Sequence, residues 1–247
     1  MTELDFGTVG HYRMAMPAFA GTIQKWCSSD DIEQWKKNYQ NKKTRQQLKS
    51  LGWIKRDIEY RFNKYGFRCD EFTDEPGVLW LGCSYTMGIG LPNDTTFAHL
   101  VSKELGLKNF NLGVGAASNN TCFRFGSYWI EKLKPKIVVL ASPDISRIEM
   151  LGAHDNVKDL SSLAVPKEWF LNERNQDFNR QKNAMALYYY CSKVNAKYVW
   201  FPQHTAFPKV ESEENFWKKD KARDLAHPGI LNHKYAADKI LEFIHAN

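Results

Sequence analysis

The sequence predicts an α/β protein in which a parallel β-sheet is sandwiched between two helical layers and preceded by a mostly helical amino-terminal extension. Three observations lead there. From Gly77 onward, short apolar runs alternate with segments of helical period. The runs are continuously apolar, as strands buried on both faces are. The chain before Gly77 is polar, basic and punctuated by helix start and stop signals.

Taken in order, residues 1–76 form the extension, in which Ser29 and Asp30 are the expected caps of DIEQWKKNY, and KTRQQLKSLG ends at the helix stop Gly52. Residues 77–247 form the main domain. Its expected strands are VLWLG, FNLGV, KIVVLA and AKYVWFPQ. Its expected helices are TTFAHLVSKELG, NTCFRFGSYWIEKL, DFNRQKNAMALYYYCSKV and the closing HPGILNHKYAADKILEFIHAN. The stretch 150–176 has no strong period and reads as a long loop with one short helix at most. The sum is an open three-layer α/β/α sandwich, and sites on such sheets form at the carboxyl ends of the strands.

With 43% hydrophobic and 14% aromatic residues, the 247-residue chain can bury a full core, which excludes extended disorder. No apolar run approaches the roughly 18 to 20 residues of a membrane span, and the start MTELDFGTVGHYR lacks the pattern of a secretion signal. The expectation is a soluble, cytoplasmic protein. Cys27, Cys69, Cys83, Cys122 and Cys191 are odd in number and widely spaced, which predicts free thiols and no metal site or other cofactor. The net charge of +6 resides in residues 36–56, where eight Lys or Arg occur without one Asp or Glu. Such a run reads either as a solvated helix face or, with Trp35 and Trp53 nearby, as a contact for a polyanion.

The chemistry-bearing residues cluster at strand ends. VLWLG runs into Cys83-Ser84-Tyr85-Thr86, which places Ser84 at the carboxyl edge of the sheet, either as a nucleophile or as a turn former and helix cap. A serine nucleophile needs a base. Asp224-Leu225-Ala226-His227 offers one, because a carboxylate three residues before an imidazole can accept its Nδ1 proton and leave Nε2 as the base; the alternative is a surface turn. His99 falls within a helix pattern, His204 follows a strand, and His11, His154 and His233 have no acidic residue three positions before them. MGIGLP and NLGVGAAS lack the residues of a phosphate-binding loop.

Together these blocks resemble, in order, those of the SGNH hydrolase superfamily, the GDSL-type esterases. Gly82-Cys83-Ser84 corresponds to the family's first block, Asn111–Asn119 to its second, Ala141-Ser142-Pro143-Asp144 to its third and Asp224–His227 to its last. Asn63-Lys64-Tyr65-Gly66-Phe67-Arg68 resembles a segment that precedes the nucleophile strand in some members, so the resemblance covers about residues 57–246. It implies a flavodoxin-like sheet, Ser84 as nucleophile, His227 as base and Asp224 as its orienter. It also implies an oxyanion hole from the backbone N–H groups of Ser84 and Ala116. Two departures stand out: Ala116 replaces a glycine but keeps the N–H, and Pro143 replaces an asparagine, leaving Ser142 or Asn119 as candidate substitutes for the missing donor. Cys83 replaces a common aspartate, and the family geometry turns that side chain away from the site.

The implied activity is hydrolysis of carboxylic esters through an acyl-enzyme, with acetyl groups on sugars or glycans as expected substrates and acyl transfer to an alcohol as a close variant. Arg147 is a candidate substrate contact or a partner for Glu149, and Arg68 is expected to brace the sheet edge or the catalytic loop. The competing expectation is a catalytically weak SGNH-fold protein that binds a polyanion or an assembly partner through residues 36–56.

Overall fold

The structure, a computed structural model, describes residues 14–151, 157–161, 172–201, 217 and 219–246. Strand β1 (Ile23–Gln24) pairs antiparallel with β2 (Tyr60–Arg61), and between them lie α1 (Ile32–Gln40) and α2 (Lys42–Ser50). The main sheet is built from β3 (Gly77–Leu81), β4 (Lys108–Asn111), β5 (Ile137–Ala141) and a last strand at Lys197–Phe201. All neighbours in it are parallel, and β3 lies between β4 and β5 with the last strand outside β5. That order reverses direction at β3 and β5, the doubly wound arrangement whose crevice opens beyond the carboxyl ends of those two strands.

Two layers of helix cover the sheet, as the apolar, fully buried central strands β3 and β5 require. Along β3, Val78 and Trp80 pack with Phe97, Ala98 and Val101 of α4 (Phe97–Glu104) and with Ala236, Ala237 and Ile240 of the closing helix (Ile230–Ala246). Leu79 and Leu81 face the other way, against Phe125, Trp129 and Ile130 of α5 (Asn119–Leu133) and Ala184 and Leu187 of α6 (Glu173–Lys193). Alternate residues of one strand thus feed opposite cores. The closing helix is α7 in chain order once the four-residue α3 (Ser84–Met87) is counted.

A third core joins the amino-terminal segment to the crevice. Cys27, Leu48, Trp53, Ile58, Tyr60 and Phe62 bury against Met87 at the end of α3, against Ile89 and Leu91 just after it, and against Ala222. Trp53 is anchored by its indole N–H, which donates to the Lys221 carbonyl (2.8 Å). All five cysteines are buried and none joins a disulfide. Among the described residues, no helix is long and apolar enough to cross a membrane.

Two expectations are corrected. The cap of α1 is Asp31, whose carboxylate accepts from the Gln34 N–H (2.8 Å), because Ser29 and Asp30 are engaged elsewhere. The stretch after residue 146 is not all loop: β6 (Arg147–Leu151) and β7 (Val157–Ser161) form an antiparallel hairpin, and the remaining strand, Lys197–Phe201, is β8. The hairpin strands stand outside the main sheet and mix charged with apolar residues, so they carry no continuous apolar run to betray them. His11, His154, His204 and residues 162–171 lie outside the described residues.

Candidate active site

Strand β3 ends at Gly82, where a Cβ would collide with Thr86 Oγ1 (2.0 Å) and the Ala141 carbonyl at the end of β5 (2.9 Å). Only a glycine lets the chain turn that tightly into α3. Cys83 is the N-cap residue of this short helix and its side chain joins the core on the α5 side, while Ser84 opens the helix. The Ser84 hydroxyl, 7% exposed, donates to Cys83 Sγ at 4.0 Å.

The second block packs on this turn. Asn111, fully buried at the end of β4, donates through Nδ2 to the Thr86 carbonyl (2.8 Å) and accepts from the Gly113 N–H (2.9 Å). The Val114 N–H donates to the Gly82 carbonyl (3.3 Å). Ala116 then takes a left-handed backbone, φ 59°, which explains why glycine suits this position. Among the described residues, neither the Ser84 nor the Ala116 backbone N–H donates a hydrogen bond.

The fourth block is a closed turn. Leu225 adopts φ 59°, and the Ala222 N–H donates to the His227 carbonyl (3.0 Å). Asp224 is folded inside it: Oδ1 accepts from the Ala226 and His227 N–H groups (both 3.0 Å), and Oδ2 lies 2.5 Å from His227 Nδ1. A carboxylate can only accept here, so the proton sits on Nδ1 and Nε2 presents a lone pair. Burial raises the Asp224 carboxyl, but hydrogen bonds from the His227 ring and backbone and from Ser29 outweigh it and hold the group below the usual carboxylate range.

This turn meets the nucleophile turn directly. Gly90, at φ 76°, brings its backbone so close that a Cβ would lie 2.8 Å from Ala222 Cβ and 3.4 Å from the Asp224 nitrogen. Its carbonyl accepts from the Arg223 N–H (3.0 Å), and the Tyr85 ring stands edge-on to His227 at 5.6 Å. The structure therefore joins Asp224 to His227 and sets both beside the Ser84 turn, while the Ser84 hydroxyl stays turned toward Cys83 with no hydrogen bond to His227.

Arg68 braces the nucleophile turn from below. Its buried guanidinium donates to the carbonyls of Met87 (3.2 Å), Gly88 (2.5 Å), Glu59 (3.1 Å) and Leu91 (2.7 Å), and it lies 4.1 Å from the Tyr60 ring centre. Burial lowers its affinity for the proton, and the nearby Asp30 carboxylate counters that loss.

In the third block, Ser142 Oγ accepts from the Trp200 indole N–H (2.7 Å), which leaves the hydroxyl proton to donate. Asn119 Nδ2 donates to the Pro143 carbonyl at 3.4 Å, and its Oδ1 is buried without a partner among the described residues. Glu149 pairs not with Arg147 but with Arg124 of α5, in a fork of 2.6 and 2.9 Å, because the planar guanidinium on the facing helix matches both carboxylate oxygens. Arg147 reaches the Ala117 carbonyl (3.5 Å). A cavity of about 600 Å³ opens beside Ala116, with Cys27, Ser28, Met87, Arg124 and Phe125 among its walls. No group of His, Cys, Asp or Glu side chains among the described residues is arranged to hold a metal ion.

Sequence reasoning missed Ser29. Its hydroxyl donates to Asp224 Oδ2 (2.7 Å) and lies 3.3 Å from His227 Nδ1. No local spacing signals a contact across 195 positions.

No family model and no curated protein matches the sequence. Solved structures similar to it include three bacterial proteins. One is a Bacteroides fragilis protein described as an acylhydrolase, with TM-score 0.34, 15% identity, and coverage of 68% of this chain and 86% of the other. A GDSL-like lipase of Bacteroides thetaiotaomicron has TM-score 0.34, 13% identity, and coverage of 68% and 87%. A Desulfitobacterium hafniense protein described as a lipolytic protein of the G-D-S-L family has TM-score 0.32, 13% identity, and coverage of 66% and 98%.

Proposed function

We propose that the chain is a serine hydrolase of carboxylic esters. The observation that carries the reading is the Asp224–His227 pair, clamped by four hydrogen bonds on the carboxylate and set beside the Ser84 turn at the carboxyl edge of the sheet. In the reaction, the Ser84 hydroxyl swings from Cys83 to His227 Nε2, loses its proton there and attacks the acyl carbon. The uncommitted N–H groups of Ser84 and Ala116 receive the developing oxyanion, and Ser142, through its hydroxyl proton, and Asn119, through the second N–H of its amide, are the candidate further donors. His227 then protonates the leaving alcohol, and water attacks the acyl-enzyme by the reverse of these steps. Acetylated sugars or glycans are the substrates of this reading, and the cavity of about 600 Å³ beside Ala116 is the open space next to the proposed oxyanion position. A water-excluded form of the same site performs acyl transfer.

A second reading is supported by the basic run: all eight Lys and Arg side chains of residues 36–56 are exposed on and after α1 and α2, a surface suited to a polyanion. Labelling with a fluorophosphonate, followed by peptide mapping, separates the two. The hydrolase reading expects one adduct, on Ser84, absent from Ser84→Ala and slowed by about 10⁴-fold or more in His227→Ala. No adduct on a folded wild-type protein rejects it and leaves the polyanion surface.

A further inference from the structure

We propose that Ser29 is a positioning residue of the Asp224–His227 pair, so that the amino-terminal segment completes the active site; only its kinetic consequence rests on the hydrolase reading.

Asp224, whose side chain is fully buried, has about four lone-pair sites to satisfy. Two are met by backbone N–H groups on Oδ1 and one by His227 Nδ1 on Oδ2. Ser29 supplies the fourth, at 2.7 Å. Its oxygen also stands 3.3 Å from Nδ1, so Ser29, Asp224 and His227 form a closed triangle that fixes the plane of the carboxylate and the rotation of the ring together. A ring so held keeps Nε2 aimed at one place.

The segment that presents Ser29 is built for rigidity. Cys27 and Asp30 exchange backbone hydrogen bonds (2.9 and 3.1 Å), closing a two-residue turn with Ser28 in a left-handed conformation, φ 57°. That conformation is unfavourable for a non-glycine residue and persists because the surroundings enforce it. Both ends of the turn are buried, and Asp30 is gripped by Arg223. Consecutive residues Ser29 and Asp30 therefore hold consecutive residues Arg223 and Asp224. A helix cap needs neither contact, and the cap of α1 is supplied by Asp31.

Ser29→Thr and Ser29→Val are nearly isosteric and differ in the hydroxyl, which separates hydrogen bonding from packing. Ser29→Val is expected to lower the fluorophosphonate labelling rate of Ser84 about tenfold, the rate equivalent of one charge-assisted hydrogen bond, with thermal stability close to that of Ser29→Thr. Ser29→Thr is expected to label within about threefold of wild type. Independently of activity, the low-field proton resonance of His227 Nδ1 should be present in wild type and Ser29→Thr and lost or displaced in Ser29→Val. Equal behaviour of the two variants in both measurements overturns the proposal. A wild type that never labels but shows the hydroxyl-dependent resonance overturns the hydrolase reading and leaves Ser29 in its positioning role; a wild type with neither overturns both.

Discussion

The Arg223 guanidinium closes on the Asp30 carboxylate through Nε (2.9 Å) and Nη2 (2.7 Å), with both side chains nearly sealed from solvent at 5% and 1% exposure. Around the pair, the Tyr60 hydroxyl donates to Asp30 (2.5 Å) and accepts from the Gly90 N–H (2.7 Å), while Arg223 lies 4.0 Å from the Trp26 ring centre. One buried charge pair thus ties the amino-terminal turn, the loop after the nucleophile and the histidine loop into a single unit.

Breaking that pair from one side strands a buried charge. Asp30→Leu or Arg223→Met alone is expected to lower unfolding free energy by about 3 to 5 kcal/mol. The double variant removes both charges and should recover more than half of the summed loss, because the desolvation cost disappears with the attraction. Urea denaturation of all four proteins measures the coupling, and strictly additive losses would show that the two residues act separately.

Asp224→Asn tests the orienting role of the carboxylate. The amide can donate where the carboxylate only accepts, which favours the wrong histidine tautomer, and labelling of Ser84 near neutral pH should fall by about 10³ to 10⁴-fold. The same substitution has a pH signature in stability. The folded-state value of Asp224 lies below the ordinary one of about 3.9, so its contribution is present above that pH and is lost as pH falls through the depressed value. The stability difference between wild type and Asp224→Asn should therefore shrink below about pH 4. A difference that is constant across that range contradicts the assignment.

How much of this was legible in the sequence follows from the range of each interaction. Val78 to Leu81 are all fully buried, so the strand announced itself as a continuous apolar run, as did β5, whereas β4 (KNFN) carries no such run. Asp224 and His227 were legible because three residues and one left-handed Leu225 suffice to bring them together. Arg68 was legible as a brace, though not the four carbonyls that it holds. Ser29 was not, because its polarity and position fit a helix cap equally well until Asp31 is seen to take that role. Glu149 misled for the same reason. Its partner Arg124 lies 25 positions away on a helix that packs over the hairpin, and nearness in sequence favoured Arg147 instead.

His233 offers a stability test away from the reacting groups. Its ring is buried in α7, stacks on Phe97 at 5.2 Å and accepts from the Phe97 N–H through Nδ1 (3.1 Å). Burial, reinforced by the nearby charges of His227 and Arg68, pushes the imidazole down to about 3. In the unfolded chain the same ring binds a proton near pH 6.5. Between these values the unfolded state holds one more proton than the folded state, so stability must fall as pH is lowered from about 6.5 toward 3. The slope from this residue approaches about 1.4 kcal/mol per pH unit. His233→Asn retains an acceptor for the Phe97 N–H and cannot titrate. Its unfolding free energy should decline less steeply than that of wild type across this window, with the two curves converging as pH falls. Parallel curves would mean that His233 gains its proton without unfolding, and that the Phe97 contact does not exclude the charged ring.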